Sequence, residues 1–143
     1  MNIKVKDLMS SQVLTAQRHQ TVGHVRQVMS NNGIHAMPVV GSDGDVIGMV
    51  TSTDLVGTVK EDSRISAIMS NDVVTVPAYS EPRTAARCMR NQHFHHLVVL
   101  DEKKVVGILS TFDLLRLVED KRFVMKSAAP QGKNSNRFGL DDE

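Results

Sequence analysis

Apolar positions in "TVGHVRQVMSNNG", Thr21 to Gly33, place Val22, Val25, Val28 and Met29 on one stripe of a helix that stops at Gly33. "AMPVV" and "VIGMV" are short apolar runs rich in β-branched residues, and they predict two strands around the turn "GSDGD". Val13–Thr15 reads as a further short extended piece, and "STDLVG" as the start of a short helix. The same succession then returns. "SEPRTAARCMRNQ" predicts a helix, "FHHLVVL" and "VVGIL" strands, and "TFDLLRLVED" a longer last helix. "MNIKVKDLM" and "SRISAIM" read as short helical lead-ins to the two sets.

The succession is an internal repeat. Residues 5–40 align with 65–100 at an offset of 60, and "VIGMVTSTDL" aligns with "VVGILSTFDL" at an offset of 59. Met9/Met69, Thr15/Thr75, Met29/Met89, His35/His95, Gly48/Gly107 and Asp54/Asp113 keep register throughout. Each unit has the order strand, helix, strand, strand, helix. Its single thin sheet has an apolar face that one unit of ~50 residues cannot cover alone. Two units packed sheet to sheet about a pseudo-twofold axis cover both faces. The expected architecture is therefore a mixed α/β (α+β) tandem, with a first repeat at 1–60, a second at 61–125 and a disordered polar tail at 126–143. The linker "GTVKEDS" is too short for the halves to move independently.

Composition narrows the chemistry. With 41% hydrophobic residues and 3% aromatics, the core must be Val, Ile, Leu and Met. A net charge of +1 gives no electrostatic footprint for nucleic acid. No apolar run reaches the ~20 residues of a membrane span, and "MNIKVKDLMSS" lacks the apolar core of a signal peptide. The one cysteine, Cys88, excludes an internal disulfide and fits a reducing compartment. A soluble, cytoplasmic protein is expected.

The repeated phrase "GMVTSTDL" and "GILSTFDL" carries the candidate chemistry. A hydroxyl followed three residues later by an acid is a capping box. The same residues at a strand-to-helix turn also present outward N–H groups to an anion, and an acid one step on can accept hydrogen bonds from a ribose diol. Capping and nucleotide binding both remain open on this pattern.

The chain resembles a CBS-domain pair, or Bateman module, over roughly residues 1–120. The resemblance is carried by "DLMSSQVLTAQRHQTVGHVRQVMSNNGIHAMPVV", "VIGMVTSTDL" and their second copies. It implies adenine nucleotides (AMP, ADP or ATP) bound between the repeats, no required cofactor, a homodimer through the helices after Asp54 and Asp113, and a regulated partner protein that the sequence does not name. Carried over, the ribose acids are Asp54 and Asp113. The phosphate turns are Thr51, Ser52 and Thr53, and Ser110, Thr111 and Phe112. Thr15 and Thr75 match the hydroxyl after the first strand, and His35, Ala36, Met37, Pro38, His95, His96 and Leu97 match the segment facing phosphate. The second copy departs from the first: Val98 stands for Pro38, His96 for Ala36 and Phe112 for Thr53. The two sites are therefore expected to differ in affinity.

Other candidates are weaker. His93 and His95 in "HFHH" share a strand face but have no ligand-spaced partner, so no metal site is expected. Cys88 falls on an apolar helix stripe, and Arg83, Arg87 and Arg90 on a solvated one, with Arg83 near enough to the helix start to reach phosphate. Pro38 is expected to mark a sheet edge or bulge. No nucleophile elbow, P-loop or H-E-x-x-H motif is present, so catalysis is not expected.

Overall fold

The computed structural model describes residues 2–57 and 59–119. The expected tail at 126–143 lies outside the described residues. Two three-stranded sheets carry the chain. In the first, β1 (Ala16–Gln17), β2 (Ala36–Val40) and β3 (Val46–Thr51) lie in that order; in the second, β4 (Thr75–Pro77), β5 (His96–Asp101) and β6 (Lys104–Ser110) do. The middle strand pairs in parallel with the first and antiparallel with the third in both sheets.

Alternation along the strands divides the core into three. Met37, Val39 and Val50 face α2 (Val22–Asn32), while Leu97, Val99 and Leu109 face α3 (Pro82–Gln92). The residues between them, Ala36 and Met49 on one sheet and Val98 on the other, meet in a cluster between the sheets, with Val46, Leu100 and Val105 packed around it. This is the expected sheet-to-sheet packing, and period-two patterning produces it.

The lead-ins exchange sides. α1 (Val5–Leu8) buries Val5 and Leu8 in the core of the second sheet. Its Val5 and Lys6 N–H groups donate to Ser80 O and Ala78 O, both at 2.9 Å, and Lys6 Nζ lies 4.9 Å over the Tyr79 ring. Reciprocally, Ile65 of the short helix Ile65–Ala67 is buried in the first core, and its N–H donates to Gln20 O at 2.7 Å. Each segment then crosses the opposite sheet: Ser10 exchanges hydrogen bonds with Ile108 (2.9 and 3.0 Å), and Ser70 with Met49 (2.9 Å both ways). Glycine at 48 and 107 permits this crossing. A Cβ on Gly48 would meet Met69 Cγ and Ser70 O at 3.0 Å, and one on Gly107 would meet Ser10 O at 2.9 Å.

Several expectations need correction. Pro38 is fully buried in a middle strand, opposite Met49, and not at an edge. The nearby bulge, at Val39/Val40, recurs at Val99/Leu100 where no proline stands, so Pro38 does not cause it. Its effect falls on β1. Val98 N donates to Val74 O at 3.1 Å, a bond Pro38 cannot make, so β1 starts at Ala16 and the expected piece Val13–Thr15 lies outside it. The last helix is split into α4 (Thr111–Leu114) and α5 (Arg116–Glu119), with Leu115 between them. Gly33 does end α2, in the left-handed region at φ 62°; in the second unit His93 takes that conformation, at φ 59°.

Candidate functional site

The lead-in exchange creates two clefts, each walled by both halves. One, of about 320 Å³, is walled by Thr51, Thr53 and Asp54 from the first half and by Ser70, Asp72, Val73, Val74 and His93 to His96 from the second. Met49 and Phe94 add apolar surface. The other, of about 230 Å³, has Ser110 and Asp113 facing Ser10, Gln12, Val13, Leu14 and Gly33 to Ala36, with Ile108 and His96 completing the wall. The walls match through the repeat: Asp54 with Asp113, Val73 with Val13, Phe94 with Ile34, His95 with His35. Where they differ, the first cleft is richer, having Asp72 for Gln12, Phe94 for Ile34 and His93 for Gly33. No Lys or Arg lines either cleft among the described residues.

The two acids are fixed by the turns that carry them. Asp54 Oδ2 accepts from Thr51 N (2.8 Å) and Thr51 Oγ1 (3.2 Å). Asp113 Oδ2 accepts from Ser110 N (2.8 Å), while Asp113 N donates to Ser110 Oγ (3.1 Å). Capping is thus realised in both copies. Among the described residues no hydrogen bond engages Oδ1 of either acid, so each carboxylate keeps one oxygen for another partner. The anion cradle read from the sequence needs correction. Thr51 and Ser110 N–H groups are taken by the acids, and Ser52 N and Thr111 N donate to His35 O (2.9 Å) and His95 O (3.0 Å). The tight turn folds back on the preceding loop, and two N–H groups of each copy are taken in this way.

The CBS domain family matches the chain twice, over residues 5–61 and 65–120. The protein belongs to the CBS domain family. A CBS domain-containing protein of Dictyostelium discoideum is 31% identical over 134 residues, covering 82% of this chain and 92% of that protein. A homoserine O-acetyltransferase of Methanosalsum zhilinae is 31% identical over 123 residues, but the chain spans only 25% of that enzyme's length. Among solved structures, the CBS domain pair of protein MJ0100, in complex with 5′-methylthioadenosine and S-adenosyl-L-methionine, superposes with a TM-score of 0.78 at 25% identity, covering 85% of this chain and all of that one.

Within this CBS pair, the expected site residues divide. Thr51, Thr53, Asp54, His95 and His96 line the larger cleft, and His35, Ala36, Ser110, Asp113 and again His96 the smaller. The side chains of Met37 and Leu97 point into the helix-side cores, and Pro38 is fully buried. Thr15 and Thr75 are exposed and line neither cleft; the residues just before them, Leu14 and Val74, do. Ser52 sits behind the turn, its Oγ 3.2 Å from His35 Nδ1. Thr111 and Phe112 line neither cleft, and Phe112 is 77% exposed, so it neither stacks in the site nor plugs it. Arg83 lies in a separate surface groove with Lys4 and Arg116, and Cys88 is half-buried against the second core. No cluster of three or more metal-ligating side chains occurs among the described residues. Sequence reading missed the walls given by the crossing segments, Ser10 to Leu14 and Ser70 to Val74. The repeated Met-Ser at Met9-Ser10 and Met69-Ser70, held opposite the repeated glycines, was the available signal.

His96 has a shifted titration. Partial burial is the largest cause and pushes its pKa below the ordinary value of 6.5; His95 and His35 add to the depression, and Asp113 opposes it.

Proposed function

We propose that this CBS pair is a non-catalytic regulatory module that binds an adenosine-containing ligand in its clefts and transmits occupancy to a partner protein in the cytoplasm. The observation that carries this reading is the pair of composite clefts, each setting a fixed carboxylate with one unengaged oxygen beside an apolar slot. The oxygen suits a ribose diol, and Val73, Val74, Met49 and Phe94 suit a purine. Because both halves wall each cleft, a bound ligand links them, and the difference in affinity between linked and relaxed states is what a partner senses. The adenosine ligands of the MJ0100 pair support the class. Of the adenine nucleotides, AMP fits better than ADP or ATP, since among the described residues histidines are the only wall side chains able to take up positive charge. The Asp54 cleft, larger and holding Phe94, is the tighter site.

The homodimer implied by the resemblance is supported by one surface. Phe112 (77% exposed), Leu115 (55%) and Val118 (44%) recur at three-residue spacing after Asp113, and Val56 (74%) stands at the matching place after Asp54. Leu114 and Leu117, between them, turn inward against the second core. No helix among the described residues is long and apolar enough to cross a membrane.

A second reading, a dimerisation module without a ligand, is favoured by the satisfied capping boxes. Thermal unfolding in AMP, ADP, ATP, adenosine and S-adenosylmethionine separates the two. Ligand a hundredfold above Kd should add ~2.7 kcal/mol per site; no shift with any of the five would leave the structural module.

A further inference from the structure

We propose that His96 is the specificity-determining residue shared by the two clefts, selecting anionic ligands on both sides and coupling their occupancy. The proposal deepens the nucleotide reading and rests on it.

His96 and Ala36 are equivalent residues, each opening the middle strand of its sheet and paired with the hydroxyl residue of the turn, Ser110 for His96 and Thr51 for Ala36. Ala36 lines only the Asp113 cleft. His96 takes the corresponding place in the Asp54 cleft, but its longer side chain also reaches across the axis into the other. Among the described residues it alone lines both. An imidazole there can donate to either cavity, and its charge is felt in both.

The groups facing it set the direction. Asp113 of α4 favours its charged form, while His35 of the first half and His95 of its own segment oppose it. Asp54, Asp72 and His93 share its larger cavity. With burial dominant, the ligand-free ring is held neutral near pH 7. An anion entering either cleft draws a proton onto it. The second anion then meets a ring already charged, so it binds more tightly. If each ligand raises the imidazole pKa by ~1 unit, the second event gains ~3-fold at the best pH and nothing well above or below it. An uncharged nucleoside gains nothing at any pH.

The test is calorimetric titration of AMP and of adenosine from about pH 5 to 8. Asp54→Asn gives the Asp113-cleft affinity with the other cleft empty. The same cleft in wild type, filling second, should bind AMP ~3-fold more tightly at an intermediate pH, with no excess for adenosine. His96→Ala should abolish the excess, and His35→Ala, whose side chain lines only the Asp113 cleft, should keep it with its optimum moved to higher pH, because His35 no longer depresses His96. Proton uptake, measured in two buffers of different ionisation heat, checks intact protein directly: uptake on AMP binding should fall in His96→Ala and His96→Gln. AMP binding to both clefts with the same excess and uptake in His96→Ala overturns the proposal alone. Absence of any nucleoside binding to wild type overturns the cleft reading and this proposal with it.

Discussion

Asp54→Asn separates the two roles that the acid combines. The carboxylate caps its turn through Oδ2, at 2.8 Å from Thr51 N, and offers Oδ1 to the cleft. An asparagine keeps one oxygen. Turned towards Thr51 N, it preserves the cap and leaves Nδ2 facing the ribose, where a donor would oppose two donor hydroxyls. Loss of a hydrogen bond to a charged group is worth ~1.5–3 kcal/mol, or roughly 10- to 150-fold in affinity. Stability without ligand should change far less than the ~1 kcal/mol expected when a cap is deleted, a loss that Asp54→Ala should show as a fall of about 3–5 °C in Tm. Thermal unfolding of wild type, Asp54→Asn and Asp54→Ala, each with and without AMP, reads both quantities. The expected pattern is a near-normal Tm for the asparagine variant with the ligand increment of the larger cleft lost. An unchanged increment would mean that Asp54 only caps, and the sensor reading would lose its central residue.

Other expectations test the fold and the surface. Gly48→Ala and Gly107→Ala should each cost ~1–3 kcal/mol in chemical denaturation, because the added methyl meets the backbone of the crossing segment at Ser70 or Ser10. Glu102 and Lys103 both hold positive φ, 50° and 71°, in the turn between β5 and β6; replacing the pair with Asn-Gly should raise stability by ~1 kcal/mol or more. His96 is depressed in the folded state by burial, so the unfolded chain binds more protons below its own pKa near 6.5. Its contribution is full above that pH and is lost progressively as pH falls towards the folded value; denaturation midpoints of His96→Gln should therefore fall less between about pH 7 and 5 than those of wild type. Leu115→Glu should convert a dimer to a monomer in sedimentation, and a wild-type monomer would refute the dimer face.

The strands and helices were legible where one force decides them. The apolar, β-branched runs in "AMPVV" and "FHHLVVL" marked the middle strands, and backbone alternation sends Met37, Val39, Leu97 and Val99 to the helices and Ala36 and Val98 to the other sheet. The repeat gave the tandem, and the spacing from Thr51 to Asp54 gave the turn. What escaped was set by contacts between segments far apart in sequence. Nothing local marks Val5 as belonging with Leu97, or Ile65 with Val25, because an amphipathic turn docks equally well on either core. Pro38 misled because a missing N–H ordinarily points to an edge, whereas here the loss is borne by shortening β1. His93 misled in another way: it was read on a strand face with His95, whereas it closes α3 in the left-handed region and β5 begins only at His96.

The lead-in exchange is also what makes a sensor of this shape physically reasonable. Had each lead-in packed on its own unit, Asp54 would face residues 10–14 of the same half, and a ligand there would tie no two parts together. With α1 on the second core and residues 65–67 on the first, every cleft takes its capping acid, Asp54 or Asp113, from one half and most of its apolar wall from the other. Among the described residues the inter-sheet cluster has three buried members, Ala36, Met49 and Val98, against nine in each helix-side core. Met49 also walls the Asp54 cleft and Ala36 the Asp113 cleft. Ligand contacts placed there act on the smallest of the three clusters, which is where a modest binding energy moves the halves most.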